Sequence, residues 1–281
     1  MLSIFEDGFE LDAAEAVCAG YATADELVDV ASSLINKSII IPEKTAGLVR
    51  YRMLATVRDY GRDKLRTIDR HTTVLRRIRD WFIKLALYSD ACWLGFQQVE
   101  FIDRLDRERA NLYVVMSACF DDPCGFRIAI ALRRFWVCRG LLKEGRQWLS
   151  QARAHQISRS STAQVAAPCA ESALAGLQGR SHEALDLLAE ARRFAALNSD
   201  PGVAQPVLRS EAEVSLASGD ATTAAALFEN ALAAIGESGD ATACLEVLTG
   251  LGRARGRNGE HETAVTCLEE ALVISEPTAN R

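Results

Sequence analysis

The apolar positions in the second half of the chain recur at a fixed interval. Gly179, Gly219 and Gly259 are each followed five residues later by an alanine (Ala184, Ala224, Ala264) and nine residues later by a bulky apolar residue (Leu188, Phe228, Leu268). A second alanine stands twelve residues after each glycine (Ala191, Ala231, Ala271), and the period is 40 residues. A weaker copy begins at Gly140, with Gly145, Leu149 and Ala152 at the same offsets. Seven residues before the glycines stand Arg133, Ser172, Ala212 and Gly252, small in three of the four copies. A fixed period of this length is the mark of stacked supersecondary units. Stretches such as 224–232 combine good helix formers with apolar residues at helical spacing, so each copy is expected to be two helices. The glycine is then the turn between them, in a left-handed conformation that other residues resist. Small residues let the two helices approach closely, the bulky residue fills the space beside them, and the remaining apolar face is covered only by the next copy.

The first sixty residues follow other periods. Residues 11–18 and 24–35 predict two short helices, the second with Leu27, Val30, Ala31, Leu34 and Ile35 on one face. Asp12 and Thr23 are the expected N-caps. Ser38–Ile41 is β-branched and Leu48–Met53 alternates, with Pro42, Lys44 and Gly47 placed in the connection, which predicts a hairpin. A further helix is expected over 54–65. Two helices, a hairpin wing and a helix make a winged-helix arrangement. The expected fold is therefore mainly α: a winged helix over residues 1–70, a helical linker over 71–135 and a helical-repeat solenoid over 136–281.

Composition narrows the function. Of 281 residues, 49% are hydrophobic and 25% charged, an ordinary globular balance. The longest apolar run, 112–120, contains Ser117 and falls far short of the roughly 18 to 20 residues that span a bilayer. The N-terminus meets Glu6 and Asp7 at once, with no basic region before them, so neither a secretory signal nor a membrane partner is expected and the chain is assigned to the cytoplasm. The eight cysteines form no CxxC pair and have no histidine at zinc-ligand spacing; they are expected to act as small core hydrophobes.

A net charge of −6 opposes general nucleic-acid binding, yet the segment from Arg50 to Arg79 is locally basic. Arg50 and Arg52 on the wing, with Arg58, Arg62 and Arg66 at helical spacing, are candidates for contacts to DNA phosphates or to an acidic partner. The helix that would enter a major groove, 24–35, carries Asp25, Glu26 and Asp29 and no basic residue, which disfavours base reading and hence DNA as the partner. In the second half, Glu171, Glu183, Glu190, Glu211, Glu213, Glu229 and Glu246 offer an acidic set suited to a basic protein partner.

Catalytic patterns are wanting. The nearest approach to a phosphate-binding loop, 140–147, has neither the lysine nor the hydroxyl that such a loop places on phosphate and magnesium, and it coincides with a repeat turn. His71, His155, His182 and His261 stand far apart, and no serine lies in a GxSxG elbow. No enzyme activity, cofactor or metal is expected. Trp81, Trp93, Trp136 and Trp148, with Phe82, Phe96, Phe101 and Phe135, are expected to form core rather than a ligand cage.

The order of small residue, turn glycine, alanine, bulky residue and alanine resembles the tetratricopeptide repeat. These copies exceed its usual period of about 34 residues, and its proline is displaced, Pro277 being nearest; HEAT-like pairs are the alternative. Residues 5–9 and 13–18, then 34–38 and 51–60 (Tyr51-Arg52-Met53-Leu54-Ala55-Thr56-Val57-Arg58-Asp59-Tyr60), resemble the winged helix that follows the nucleotide-binding module in large actinobacterial LuxR-type regulators of the STAND ATPase class. The likeness continues through 79–82, 101–105, 111–112, 134–136 and 145–149. Where that family usually has glutamate and alanine, this chain has Ala55 and Gly61. The resemblance implies a winged helix and a repeat array that senses or binds a protein partner, with association with a separate ATPase module. A helix-turn-helix elsewhere reads DNA in such regulators; the alternative is that this winged helix binds DNA in its own right. A chain starting at Met1 is expected to leave Leu2, Ile4, Phe5 and Phe9 without a preceding helix to pack on, as in a remnant of a larger regulator.

Overall fold

The computed structural model describes residues 1–45, 47–68, 71–93, 97–119, 123–154, 161–198, 201–236 and 240–279. They form two compact units, Met1–Tyr88 with Asp103–Cys119, and Ser89–Ile102 with Phe120–Arg281. The fold is mainly helical, with one two-stranded antiparallel sheet.

In the first unit a 3-10 turn, Leu2–Ile4, leads into α1 (Leu11–Cys18) and α2 (Ala24–Asn36). Thr23 starts α2 through a capping box: its hydroxyl accepts from the Glu26 amide at 3.3 Å, and the Glu26 carboxylate accepts from the Thr23 amide at 2.8 Å. Asp12 does not cap α1; Glu10 is the N-cap, and Asp12 sits inside the first turn, accepting from the Ala13 amide and pairing with Arg104.

The hairpin joins β1 (Ile40–Thr45) to β2 (Leu48–Met53), with Ile40 opposite Met53 and Thr45 opposite Leu48. Pro42 and Lys44, expected in the connection, are strand residues. Pro42 faces Tyr51, whose amide and carbonyl are turned the other way, onto Phe9 (2.8 and 3.0 Å). The register therefore never calls on the amide hydrogen that proline lacks. After the hairpin come α3 (Ala55–Arg66), α4 (His71–Ala91), α5 (Gln98–Arg107) and α6 (Arg109–Ala118).

The N-terminal apolar residues are not stranded. Leu2, Phe5 and Phe9 are buried, with Phe5 and Phe9 rings 5.0 Å apart and Phe9 stacked on Tyr51; Ile4 is half-buried. Gly61 makes room for this segment: a β-carbon there would lie 2.7 Å from Ser3 Cβ.

The second unit contains α7 (Pro123–Ala131) and α8 (Arg133–Cys138), which together act as the first helix of the first pair, then α9 (Leu142–Ala154). Three further pairs follow: α10 (Ser161–Leu177) with α11 (Ser181–Ala196), α12 (Pro201–Ala217) with α13 (Ala221–Ile235), and α14 (Ala241–Arg257) with α15 (His261–Ala279). The four turns between paired helices share one geometry. Gly140, Gly179, Gly219 and Gly259 have φ of 68°, 73°, 94° and 83°. At each, the next amide bonds back to the carbonyl five residues before it: Leu141 to Trp136, Arg180 to Ala175, Asp220 to Ser215 and Glu260 to Arg255, at 2.8 to 3.0 Å. The glycine's own amide bonds three residues back, which completes a Schellman motif. A β-carbon at these glycines would touch nothing within 4 Å, so it is backbone conformation that selects them.

The small positions inside the helices are selected by contact instead. Ala184, Ala224 and Ala264 are buried, as are Ala152, Ala191, Ala231 and Ala271. Gly145 takes the alanine position in the first copy because Trp136 lies over it, 2.6 Å from where a β-carbon would stand. Gly250 lies against the Phe228 ring so closely that a β-carbon would collide with it. Ala170 and Ser210 stand at the offset of Gly250 in the two preceding copies and are buried.

Candidate functional site

Two sets of charged residues were candidates for docking, and both are engaged within their own units. In the first unit the arginines fasten the N-terminal segment. Arg50 donates to the carbonyls of Asp7 and Gly8, each at 3.1 Å, and pairs with the buried Glu108. Asn111 completes this knot, donating to Glu108 at 2.6 Å and to the Gly8 carbonyl at 2.9 Å while accepting from the Glu6 amide at 2.6 Å. Arg58 donates to the Glu6 carbonyl and pairs with its carboxylate at 3.2 Å. Arg62 donates to the carbonyls of Ser3 (2.9 Å) and Ile4 (3.3 Å) and pairs with Glu6 at 2.7 Å. The hydrogen bond from Arg62, opposed by partial burial and aided by the charges of Arg62 and Arg58, holds the Glu6 carboxyl below its ordinary range. Arg52 pairs with Asp7 and Glu43, and Arg66 with Asp63, in the open.

The outer face of α2 exposes Asp25, Glu26, Val28 and Asp29, an acidic surface where a groove-reading helix would need cations. Behind it, between α2 and α3, lies an apolar cavity of about 550 Å³ lined by residues including Leu27, Leu34, Met53, Val57 and Leu65.

In the second unit all seven candidate glutamates are paired with arginines of the same unit. Glu171 and Glu190 share Arg153 (3.1 and 2.9 Å), Glu183 meets Arg146 and Arg180, and Glu211 meets Arg192 at 2.5 Å. Glu229 meets Arg255 at 2.7 Å and Glu213 meets Arg209 at 3.7 Å. The acidic docking set expected from the sequence is thus spent on internal ion pairs.

Glu246 on α14 carries the densest of these. Arg133 (3.0 Å) and Arg134 (2.7 Å) from α8 and Arg209 (2.5 Å) from α12 converge on it, so residues of the first, third and fourth pairs meet at one carboxylate. Burial alone would raise its pKa, but the charges of Arg133, Arg209 and Arg134 outweigh that and hold it far below the carboxylate range. Asp90, which also receives Arg134 at 2.5 Å, is pushed up by burial in spite of Arg134 and Arg133.

Some of the pairs obey the repeat. Arg153 and Arg192 stand thirteen residues after their turn glycines, and their partners Glu171 and Glu211 stand eight before the next. At the third interface the same two offsets hold Leu232 and Leu251, which pack in the apolar cluster of α13 and α14 and border a shallow groove of about 390 Å³. An ion pair has been exchanged for an apolar pair at a constant place.

Of the repeat positions singled out in the sequence, Leu149 is fully buried and Leu188 and Phe228 are 1% exposed, whereas Leu268 is 44% exposed. Its companions on α15, Val265, Leu272 and Val273, are also exposed. Trp136, Phe82 and Phe135 are fully buried, and Trp93 and Phe101 are buried. Trp81 and Phe82 belong to the first unit and Trp136 and Phe135 to the second; Phe96 and His155 lie outside the described residues, as does the side chain of Cys124. Cys18, Cys119, Cys169 and Cys267 are buried. Burial pushes the Cys169 thiol up to about 12, so it stays protonated. Cys138, contrary to expectation, is exposed. Gly145, the second glycine of the supposed phosphate loop, lies inside α9 beneath Trp136. Among the described residues no group of three or more His, Cys, Asp or Glu is placed to hold a metal ion, and no helix is long and apolar enough to cross a membrane.

Residues 1–66 match the winged helix-turn-helix domain family. A Mycobacterium bovis protein carrying the provisional name of HTH-type transcriptional regulator is 27% identical over 240 residues, which is 81% of this chain and 26% of that protein. The chain therefore spans about a quarter of the length of this relative. A second, uncharacterized M. bovis protein is 34% identical over 84 residues, 28% of this chain and 20% of its own length. Among solved structures, a Pyrococcus horikoshii STAND protein with a tetratricopeptide repeat sensor is superposable over 98% of this chain and 43% of its own, at 15% identity and a TM-score of 0.47.

Proposed function

We propose that this chain is a non-catalytic interaction and signal-sensing module of a LuxR/STAND-type transcriptional regulator, cytoplasmic, which holds a protein partner through its helical array. The observation that carries this reading is the array itself: four helix pairs whose turn glycines, Gly140, Gly179, Gly219 and Gly259, stand 39, 40 and 40 residues apart, each turned by the same motif. An array of this kind is an extended series of helix faces, suited to holding another macromolecule. The winged helix-turn-helix match and the mycobacterial relatives named as regulators support the regulatory setting.

Absence of catalysis is part of the proposal. The acids and arginines that would be candidates for chemistry are engaged as ties between helices, and the most buried thiol is protonated. Association with an ATPase module belongs to the same reading. DNA binding by the winged helix itself is the lesser reading, because Arg50, Arg58 and Arg62 are occupied by backbone carbonyls and carboxylates and the outer face of α2 is acidic.

Affinity capture from cell extract with the full chain and with a chain lacking residues 160–281 tests the reading. Partners retained by the first and lost by the second are expected; equal capture by both contradicts it. A gel shift at low salt that disappears on changing Arg50, Arg52 and Arg58 together would establish the DNA reading instead.

A further inference from the structure

One place in the array can be compared across its three interfaces between helix pairs. It is built from three offsets: thirteen residues after a turn glycine, eight before the next, and eleven after that next one. At the first interface these are Arg153, Glu171 and Glu190, and the arginine pairs with both acids, at 3.1 and 2.9 Å. At the second they are Arg192, Glu211 and Asn230; one acid has become an amide, and the arginine pairs with the acid that remains. At the third they are Leu232, Leu251 and Glu270. The cation and one acid have become leucines, but the other acid has stayed. Glu270 is exposed and has no ion-pair partner among the described residues.

Side-chain length sets the consequence. Arg153 spans from α9 to acids on α10 and α11, whereas leucine is too short to cross the same gap, and at the third interface a groove of about 390 Å³ lies at this place. Its lining joins Leu232, Leu248 and Leu251 to Glu270. Arg255 also borders it, but its guanidinium donates to Glu229 at 2.7 Å and to the Cys267 sulfur at 3.3 Å. The groove therefore has an apolar floor and one carboxylate whose charge nothing in the array offsets. It lies beside the stacking faces rather than on them: with two further pairs stacked beyond the first interface, the Arg153 side chain is still 33% exposed.

We propose that this groove receives an arginine side chain from a protein partner. Its methylene stem lies on Leu232 and Leu251, and its guanidinium meets Glu270 as that of Arg153 meets Glu190. Arginine fits better than lysine because its planar fork makes two parallel bonds to one carboxylate. This rests on the reading of the array as an interaction module and names the surface and the chemistry of its partner.

The probe is a capped heptapeptide of alanine and leucine with a central arginine; its counterpart carries citrulline, which keeps the shape and loses the charge. Titrated into the full chain and followed by amide NMR shifts, the arginine peptide is expected to bind about three- to fivefold more tightly, the range of a partly exposed ion pair. Glu270→Gln should remove that preference and leave the melting curve unchanged. Leu232→Arg should take Glu270 for itself and abolish binding of both peptides. Equal affinity for the two peptides in the native chain, no binding of either, or a preference that survives Glu270→Gln overturns the inference; the first result would make the groove a site for apolar molecules. Array-dependent capture from extract that persists undiminished in Leu232→Arg leaves the interaction module standing and removes only this groove. Capture that is equal with and without the array in the native chain removes the module itself.

Discussion

Arginines hold both units together, but against different partners. In the winged-helix unit, Arg50, Arg58 and Arg62 donate into backbone carbonyls between Ser3 and Gly8, tying a non-repeating segment to strand and helix. In the array, Arg153 and Arg192 reach carboxylates at a constant offset in the next pair, and Glu246 gathers three arginines from two others. The first kind of contact fastens one strand of chain in one place, and the second repeats with the fold. Either way, charge that looks available in a sequence has been consumed in assembly.

The largest effect that sharpens this contrast is Ala224→Glu. Ala224 is fully buried between paired helices, so a charge there should destabilise the array by about 4 kcal/mol or more. Thermal unfolding followed by circular dichroism is expected to show an early loss of helix; an unchanged curve would break the packing account.

Next is Glu246→Gln, which leaves three arginines without their shared countercharge and should cost about 3 kcal/mol. The folded pKa of Glu246 lies below its ordinary 4.5, so its contribution is complete above that value and is lost as pH falls through the depressed one. Asp90, raised by burial, contributes with the opposite sign. The melting temperature of the native chain should therefore fall more steeply on acidification than that of Glu246→Gln; parallel profiles would remove Glu246 from its place at the centre.

Gly250→Ala should cost about 2 kcal/mol by overpacking against Phe228. Phe228→Leu in the same chain should recover part of it, and strict additivity in denaturant titrations would show that the two residues do not meet. The smallest expected change is Arg52→Ala, within about 0.5 kcal/mol, since its pairs with Asp7 and Glu43 are solvent-exposed.

The array was legible because its constraints recur. Each turn glycine and each buried alanine was visible as a 40-residue coincidence, and the offsets of Arg153 with Glu171 and Arg192 with Glu211 were equally present in the sequence as a clue to their pairing. Leu268 looked equivalent to Leu188 because both stand nine residues after a turn glycine, and that offset does not record how much of each side chain its neighbours cover. The winged helix was legible in its elements and less so in its joints. Pro42 looked like a turn residue because only the pairing of Phe9 with Tyr51 relieves its missing amide. Gly61 stood in the sequence only as a departure from the family pattern, because Ser3, which needs the space, is 58 residues away. Arginines whose partners are carbonyls leave no signature at all, since every residue has a carbonyl.

Amide hydrogen exchange at the residues following the turn glycines, Leu141, Arg180, Asp220 and Glu260, tests the central claim most directly. If four helix pairs are closed by one repeated motif, all four amides are protected well beyond the rate of an open loop, and Ala224→Glu strips protection first from Asp220 and Glu260. Free-loop exchange at these amides in the native chain would mean that the register does not describe one stacked array.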